Sequence, residues 1–326
     1  MSKASLKPAS EASTRTIPLG PKTWLTWLGV GLLTFVWIWP APARNALAAG
    51  LAKIQSKRNS RHTRTALINI EACLPELDAS QRQAFLERYM TSLLQSVLLT
   101  PRFWWATGAH IQNKTRFHGR EVLDRCVADD RALVVLVSHT VCLDAGLIAL
   151  SPNYRMRGVY NPFPNPVIDW LVLRSRTRFG GQPFARGSGF RAILKGLQDG
   201  YLFFYLSDED LGAEGSVFAP FFGHRKATLA MLPRIVKKTD ALVVPMVTHY
   251  DASSDCFDVH LLDPLDNYPT EDDIANASAL NEATERGIAL LPEQYFWKLR
   301  LFRTCPDGGT SRYARIERGE LTPGEL

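Results

Sequence analysis

Residues 133–137 form an unbroken apolar run, Leu-Val-Val-Leu-Val. Such a run suits a strand that is covered on both faces, because a strand with one solvated face alternates apolar and polar residues. Similar strand-like runs occur at 201–206 and 242–248, and helix-like segments separate them. Strands that alternate with helices predict an α/β fold, with a mixed and mainly parallel sheet flanked by helices on both faces.

The spacing of apolar residues predicts further elements around these strands. Two more strands are expected at 157–160 and, at the edge of the sheet, at 257–262. Helices are expected at 60–100, 142–150, 167–177, 190–198, 227–238 and 271–300. One helical stripe is expected in the core, with contact to the membrane or to an acyl chain as the alternative; its residues are Phe85, Tyr89, Leu93, Leu94 and Val97.

Residues 24–39 are almost entirely apolar or Thr, and Pro40 and Pro42 follow. A crossing helix needs roughly 20 apolar residues. The segment is somewhat short, but the Ala- and Leu-rich stretch 46–54 extends it beyond a kink. Tryptophans near both ends suit the membrane interfaces. The segment is therefore predicted to be a membrane helix, in preference to a cleaved signal peptide.

These features divide the chain into four parts. Residues 1–21 are polar and are expected to form a flexible tail, and 22–56 a membrane anchor with an interfacial helix. Residues 57–313 form the main domain, and 314–326 a C-terminal tail. More Lys and Arg residues follow the anchor closely than precede it, which places the main domain in the cytoplasm by the positive-inside rule.

Charge, cysteines and missing motifs narrow the function classes. A net charge of +6 on 326 residues does not by itself indicate nucleic acid; it suits anionic headgroups as well as an ordinary solvated surface. Five widely spaced cysteines without a C-x-x-C pair fit a reducing compartment and support neither a zinc knuckle nor a redox pair. No G-x-S-x-G elbow and no P-loop occurs, which disfavours serine hydrolases and nucleotide-binding enzymes.

His139 is the residue best placed for catalysis. It comes directly after the 133–137 strand and Ser138, and sites of open α/β sheets gather beyond the carboxyl ends of strands. Asp144 lies five residues on, where the start of a helix can direct its carboxylate at the imidazole. The acid would fix the tautomer, and the other ring nitrogen would take a proton from an attacking hydroxyl. The alternative is a core histidine hydrogen-bonded near a strand end.

Four blocks in order make this signal specific. The blocks are 138–144, 158–162 with 165–166, 207–212 with 216–223, and 292–297 with the following Arg300, Arg303 and Pro306. Together they resemble the late acyltransferases of lipid A biosynthesis, the lauroyl- and myristoyl-type family within the larger glycerolipid acyltransferase group. The similarity covers roughly residues 22–313.

The resemblance implies a reaction. In this family an acyl group leaves the thioester of acyl carrier protein and joins a hydroxyl, or a hydroxyacyl chain, of a lipid A precursor that usually carries Kdo sugars. The implied partners are acyl carrier protein, the lipid A precursor and the inner membrane, without nucleic acid and without a cofactor. Residues 57–313 become an acyltransferase domain on the cytoplasmic side of the cell inner membrane.

The resemblance also implies roles for single residues. Matched by position, the catalytic dyad is His139 and Asp144, and the substrate-binding residues are Arg176, Arg178, Asp208 and Asp210. Arg176 is expected to hold phosphate or phosphopantetheine, because a guanidinium is a planar and permanently charged fork. Asp208 is expected to bind a sugar hydroxyl and to orient Arg176. No metal is expected at the acids 208–210, since no histidine that could act as a further ligand lies near them in sequence. Activation of the carbonyl group does not require a metal ion.

Three further sets of residues are candidates for the site. Backbone N–H groups of Gly212 or of the turn 140–143 suit an oxyanion hole. Phe218, Phe221 and Phe222 line an acyl groove or belong to the core. Acyl carrier protein is acidic, so a basic patch is expected to steer it; its candidates are Arg174, Arg176, Arg178, Arg186 and Arg191.

One position departs from the family pattern. The family commonly has Arg where this chain has Asn161, which leaves substrate handling in the second block open, with Arg155 or Arg157 as possible substitutes. Two other functions also stay open: the same chemistry on another glycolipid or an aryl polyene acceptor, and a non-catalytic membrane scaffold of the same fold. Acyl chain length depends on pocket depth, which no motif encodes.

Overall fold

A computed structural model of the chain describes residues 16–185 and 190–320. Residues 1–15 of the predicted tail, Arg186 of the predicted basic patch and residues 321–326 lie outside the described residues. The helices are α1 (Trp24–Trp37), α2 (Ala41–Gln55), α3 (Arg61–Cys73), α4 (Ala79–Trp105), α5 (Gly108–Asn113), α6 (Arg120–Ala128), α7 (Leu143–Leu150), α8 (Pro166–Thr177), α9 (Phe190–Gln198), α10 (Leu232–Thr239), α11 (Asp273–Leu290) and α12 (Arg312–Glu317).

A seven-stranded sheet forms the centre of the molecule. Its strands are β1 (Thr115–His118), β2 (Leu133–Val137), β3 (Met156–Tyr160), β4 (Gln182–Ala185), β5 (Leu202–Leu206), β8 (Leu242–Asp251) and β9 (Cys256–Leu261), while β6 (Ser216–Phe221) and β7 (His224–Leu229) form a separate hairpin. The order is β1-β9-β8-β2-β5-β3-β4. Only the β8–β9 pair of this sheet is antiparallel, so the predicted mixed, mainly parallel sheet is confirmed.

Helices cover both faces of the sheet, as predicted. On one face, α6 and the end of α7 pack with Leu133, Val135 and Val137 of β2. On the other face, α9, α10 and α11 pack with Val134 and Leu136. Alternate side chains of β2 therefore enter two separate cores, which explains why all five residues of this strand are apolar.

The N-terminal helices pack against the domain. Val30 of α1 lies buried among Trp104 of α4 and Val167 of α8, and Ala48 and Ala52 of α2 are fully buried. α1 has 14 residues. Within residues 16–185 and 190–320, no helix combines the length and the apolarity needed to cross a membrane. The predicted membrane helix is thus not supported by the helices that form.

The apolar stripe of α4 lies mainly in the core, as predicted. Phe85 and Tyr89 are buried beside Trp297, and the two leucines that follow them pack partly buried on the same cluster. Val97, at the end of the stripe, is 43% exposed. At the other end of the chain, Ile316 of α12 is buried, so ordered packing continues past residue 313.

Two predictions about the sheet were wrong. Residues 257–262 were expected at the edge, but the short β1 pairs outside β9 in parallel register. Residues 227–238 were expected to form one helix, but 224–229 are β7 and α10 begins at Leu232. The hairpin turn is Phe222-Gly223, where both residues have positive φ, as a two-residue type I′ turn requires.

Gly146 lies where α7 crosses β8. A Cβ there would come 2.3 Å from Thr248 Oγ1 and 2.9 Å from Met246 Cε. We expect Gly146→Ala to lower the free energy of unfolding by about 1–3 kcal/mol, because overpacking of a close contact is destabilising. Gly50→Ala is the matched control: a Cβ there meets nothing within 4 Å, so the free energy should rise by about 0.5–1 kcal/mol. Chemical denaturation measures both, and an unchanged Gly146→Ala would contradict the packing.

Candidate active site

His139 follows the carboxyl end of β2 and lines a cavity of about 310 Å³. The last of the four blocks, 292–297, holds its backbone. The carbonyl of His139 accepts the Phe296 N–H at 2.8 Å, and the Val141 N–H donates to the Gln294 carbonyl at 2.8 Å. The C-terminal signature therefore fixes the loop that carries the histidine.

Asp208 is the acid that contacts His139. Its Oδ1 lies 2.6 Å from His139 Nδ1, and its Oδ2 accepts the backbone N–H of His139 at 2.7 Å. The buried hydroxyl of Tyr295 donates to the same Oδ2 at 3.0 Å. Asp208 lies two residues after the end of β5, which is the parallel neighbour of β2, so both side chains leave the same edge of the sheet. Sequence analysis missed the role of Tyr295, although it lies in the fourth block.

Opposing effects set the protonation of this pair. Burial lowers the pKa of His139, but the charge and hydrogen bond of Asp208, followed by Glu209 and Asp144, raise that pKa above its ordinary value. Burial would raise the pKa of Asp208, yet His139 and Lys226 bring it below its ordinary value. The carboxylate therefore stays ionised and can only accept. In the neutral ring Nδ1 carries the proton, and Nε2 offers a lone pair.

Lys226 supplies a buried positive charge next to Asp208. It lies in β7 with no exposed surface, and its Nζ is 3.3 Å from the Ser207 carbonyl and 3.5 Å from Thr228 Oγ1. Burial lowers the pKa of Lys226 to about 8, against the opposing charges of Asp208 and Asp210. The amine is thus still mostly protonated at pH 7, and it compensates a buried carboxylate that would otherwise be costly.

Asp144 pairs with Arg176 and not with His139. The Nε of Arg176 lies 3.1 Å from Asp144 Oδ1, and its Nη2 lies 2.8 and 3.1 Å from the two carboxylate oxygens. Both residues line the His139 cavity. The predicted partners are therefore exchanged: Asp144 orients Arg176, because α7 packs beside α8, and Asp208 contacts His139.

Arg178 and Asp210 have structural partners. The guanidinium of Arg178 donates to three backbone carbonyls at the end of α4, at 2.5–3.2 Å. Asp210 accepts the Gly212 N–H at 3.0 Å and both the N–H and the hydroxyl of Thr304 at 2.7 Å. These contacts give both side chains a structural role, and their binding of substrate stays a prediction. In the described part of the chain, no three potential ligands of a metal ion lie together.

The expected oxyanion donors are largely occupied. The Gly212 N–H donates to Asp210 at 3.0 Å. In the turn after His139, the N–H groups of Thr140, Val141 and Leu143 donate to backbone carbonyls at 2.7–3.2 Å. These amides stabilise the loop and are not free for a reacting oxygen.

Of the three phenylalanines that were expected either in an acyl groove or in the core, two lie in the core. Phe221 has no exposed surface, and Phe222 packs on the same cluster around Trp297. Phe218 lies under the guanidinium of Arg225, whose carbon is 5.7 Å from the ring centre. Phe221 and Phe222 therefore lie in the protein core, whereas Phe218, three positions before Phe221 on β6, is half-buried on the other face of the hairpin.

The other arginines considered for substrate binding are divided between surface positions and structural contacts. Arg174 and Arg191 are exposed and remain candidates for a basic patch. Arg155 and Arg157 both stack on the ring of Tyr201 at 4.0 Å, which engages both guanidiniums away from the exposed Asn161.

The contact with Asp208 should hold a proton on His139 to higher pH than on an ordinary histidine. We expect the pKa of His139 above 6.5, and Asp208→Asn should lower it because the stabilising charge is lost. Asp263→Asn is the control, because Asp263 lies in the loop beside Leu242, at the amino ends of the strands and far from His139. This change should leave the pKa of His139 unchanged. Nuclear magnetic resonance titration of labelled histidines measures all three. A His139 pKa at or below 6.5 that is the same in the wild type and in Asp208→Asn would contradict the assignment of Asp208 as the partner of His139.

Known proteins resemble this chain along nearly its whole length. A family model described as bacterial lipid A biosynthesis acyltransferase matches residues 14–304. A lipid A biosynthesis acyltransferase of Haemophilus influenzae is 34% identical over 292 residues, 89% of this chain and 91% of that protein. The lipid A biosynthesis lauroyltransferase of Escherichia coli is 30% identical over 299 residues, 91% of this chain and 97% of its own.

A third relative is the lipid A biosynthesis myristoyltransferase of Escherichia coli, which is 29% identical over 296 residues, 90% of this chain and 92% of its own. The matched region contains His139, Asp208 and the Asp144–Arg176 pair. The chain therefore belongs to the bacterial lipid A biosynthesis acyltransferase family and is an acyltransferase.

Proposed function

We propose that this acyltransferase moves a fatty acyl group from acyl carrier protein to a hydroxyl, or a hydroxyacyl chain, of a Kdo-modified lipid A precursor, with His139 as the general base. One observation carries the proposal. The Nδ1 of His139 is held by the buried carboxylate of Asp208, while a quarter of the His139 side chain stays exposed at the cavity.

The geometry suits direct transfer. Nε2 of neutral His139 takes the proton of the acceptor hydroxyl, and the oxygen attacks the thioester carbon. The imidazolium that forms is stabilised by Asp208. The tetrahedral intermediate then expels the thiolate, which receives the proton from Nε2. The ester bond forms as the thioester bond breaks, and no covalent enzyme intermediate is needed.

Arg176 is the cation available at the cavity. Asp144 engages its Nε and Nη2, which fixes the plane of the guanidinium and leaves Nη1 for another acceptor. An arginine oriented in this way suits a phosphate of the acceptor or of the carrier's phosphopantetheine. The exposed Arg174 lies on the same helix and adds positive charge for an acidic carrier protein.

The outer face of α1 supports a place at the cytoplasmic side of the inner membrane. Leu25, Leu28, Leu32 and Phe35 recur at helical spacing and are 56–81% exposed. An exposed apolar face of this length is typical of a helix that lies in a membrane interface. Exposed Lys and Arg residues near the end of α2 suit anionic headgroups. This arrangement anchors the chain to one leaflet.

Acyl transfer should require His139, and its rate should fall at low pH. In an assay with acyl carrier protein thioester and Kdo-modified precursor, His139→Ala should lower kcat by at least about 100-fold, the usual contribution of a general base. His62→Ala, an exposed histidine of α3, is the matched control and should be unchanged. Because the pKa of His139 is raised above 6.5 and only the neutral ring accepts a proton, the acid limb of the rate profile should lie above pH 6.5.

Two results would contradict this proposal. A His139→Ala enzyme with near-normal kcat would exclude the histidine as base and would favour a scaffold. Turnover on another glycolipid or an aryl polyene, without turnover on the lipid A precursor, would retain the chemistry and replace the acceptor.

Membrane contact should depend on the outer face of α1. Vesicle flotation with anionic lipid measures this contact. Leu28→Asp with Leu32→Asp should reduce the bound fraction by at least about tenfold, because the burial of two leucine side chains in the bilayer contributes more free energy than a tenfold change in affinity requires. Val127→Asp with Leu290→Asp changes two side chains that are each 49% exposed on other helices and serves as the control. Equal binding by both double variants would contradict the proposed surface.

A further inference from the structure

A second cavity lies beside the one that His139 lines. It encloses about 60 Å³ between α7, α8 and the face formed by β3, β4 and β5. Leu143, Asp144 and Arg176 line both cavities. The two spaces are therefore adjacent, and the ion pair that joins α7 to α8 lies at their shared wall.

The lining of this second cavity is mostly apolar, with Arg157 and Gln182 as further polar residues at its wall. Leu147 of α7 and Met156, Phe204 and Leu206 of the sheet contribute hydrocarbon and ring surface. The charges of Asp144 and Arg176 neutralise each other at the boundary with the first cavity. A narrow and mostly apolar space beside a reaction centre suits a saturated hydrocarbon chain better than a sugar or a phosphate.

Gly158 of β3 keeps part of this space open. A Cβ at Gly158 would meet Phe204 Cβ at 3.4 Å and no other heavy atom more closely, which is ordinary van der Waals contact. A larger side chain at this position would therefore extend into the cavity without clashing with backbone. Gly181, on the opposite wall, is different: a Cβ there would come 2.2 Å from the Arg176 carbonyl oxygen. Gly158 is thus the position where cavity size can change while the fold is kept.

We propose that the second cavity holds the far end of the donor's acyl chain and that Gly158 sets the chain length that fits. This inference rests on the proposed acyl transfer. The donor chain begins at the carbon that reacts beside His139, so it can pass Leu143 and the Asp144–Arg176 pair directly into the second cavity. For each methylene of the acyl chain that no longer fits in the cavity, the ratio of kcat/KM between donors should then change by roughly 4-fold or more.

A graded series at Gly158 tests the proposal. Gly158→Ala, Gly158→Val and Gly158→Leu fill the cavity stepwise, and kcat/KM is measured with acyl carrier protein thioesters from decanoyl to hexadecanoyl. The preferred chain should shorten along the series, and the ratio of long to short donors should fall by about tenfold or more at Gly158→Leu. Val134→Ile adds a methylene to the opposite face of the sheet and is the control; it should leave the ratio unchanged.

Other outcomes would reject the second cavity as the chain site, change its occupant, or reject the proposed function. An equal loss for all donors in the Gly158 variants, or an unchanged optimum in the conservative Gly158→Ala and Gly158→Val, would reject the second cavity as the chain site. A selectivity that moves with the acyl chains of the acceptor, at constant donor preference, would assign the cavity to the acceptor. Absence of transfer by the wild-type enzyme with every donor would instead reject the proposed function.

Discussion

The hydrogen bond between His139 and Asp208 is the interaction on which the site depends. It exists because β2 and β5 are parallel neighbours in register, with Val137 beside Leu206. The histidine lies two residues beyond Val137, and the acid lies two residues beyond Leu206, so equal steps bring the side chains together. Lys226 from the hairpin and Tyr295 from the C-terminal segment then stabilise the buried carboxylate. Segments that are distant in sequence thus meet at one acid.

Much of the fold could be predicted, since the apolar run of β2 implies two cores and helices follow the strands. The place of His139 also followed from the end of that strand. Its partner did not, because the sequence shows that Asp144 is near in the chain, whereas the sheet order that makes β5 the neighbour of β2 is set by packing. Asp144 starts a helix beside α8, and the arginine there is a closer partner.

Other misses have physical causes of the same kind. Nothing in the sequence singled out Lys226, because lysine is rarely fully buried, yet two buried acids make its place in β7 favourable. Arg178 was expected to bind substrate, but its guanidinium meets the carbonyls at the end of α4, which need donors. The apolar segment at the N-terminus was read as crossing a membrane; the structure gives a 14-residue α1 that packs on α4 with one face and exposes the other.

The central claim is that this chain adds one acyl group to lipid A by base catalysis at His139. Mass spectrometry of lipid A tests it most directly, in cells that lack the gene and carry either the wild-type chain or His139→Ala. The account predicts a lipid A lighter by one acyl group in the deletion strain, restored by the wild-type chain and not by the variant, with both proteins present at equal levels. A lipid A of unchanged mass in the deletion strain, or full restoration by the variant, would contradict it.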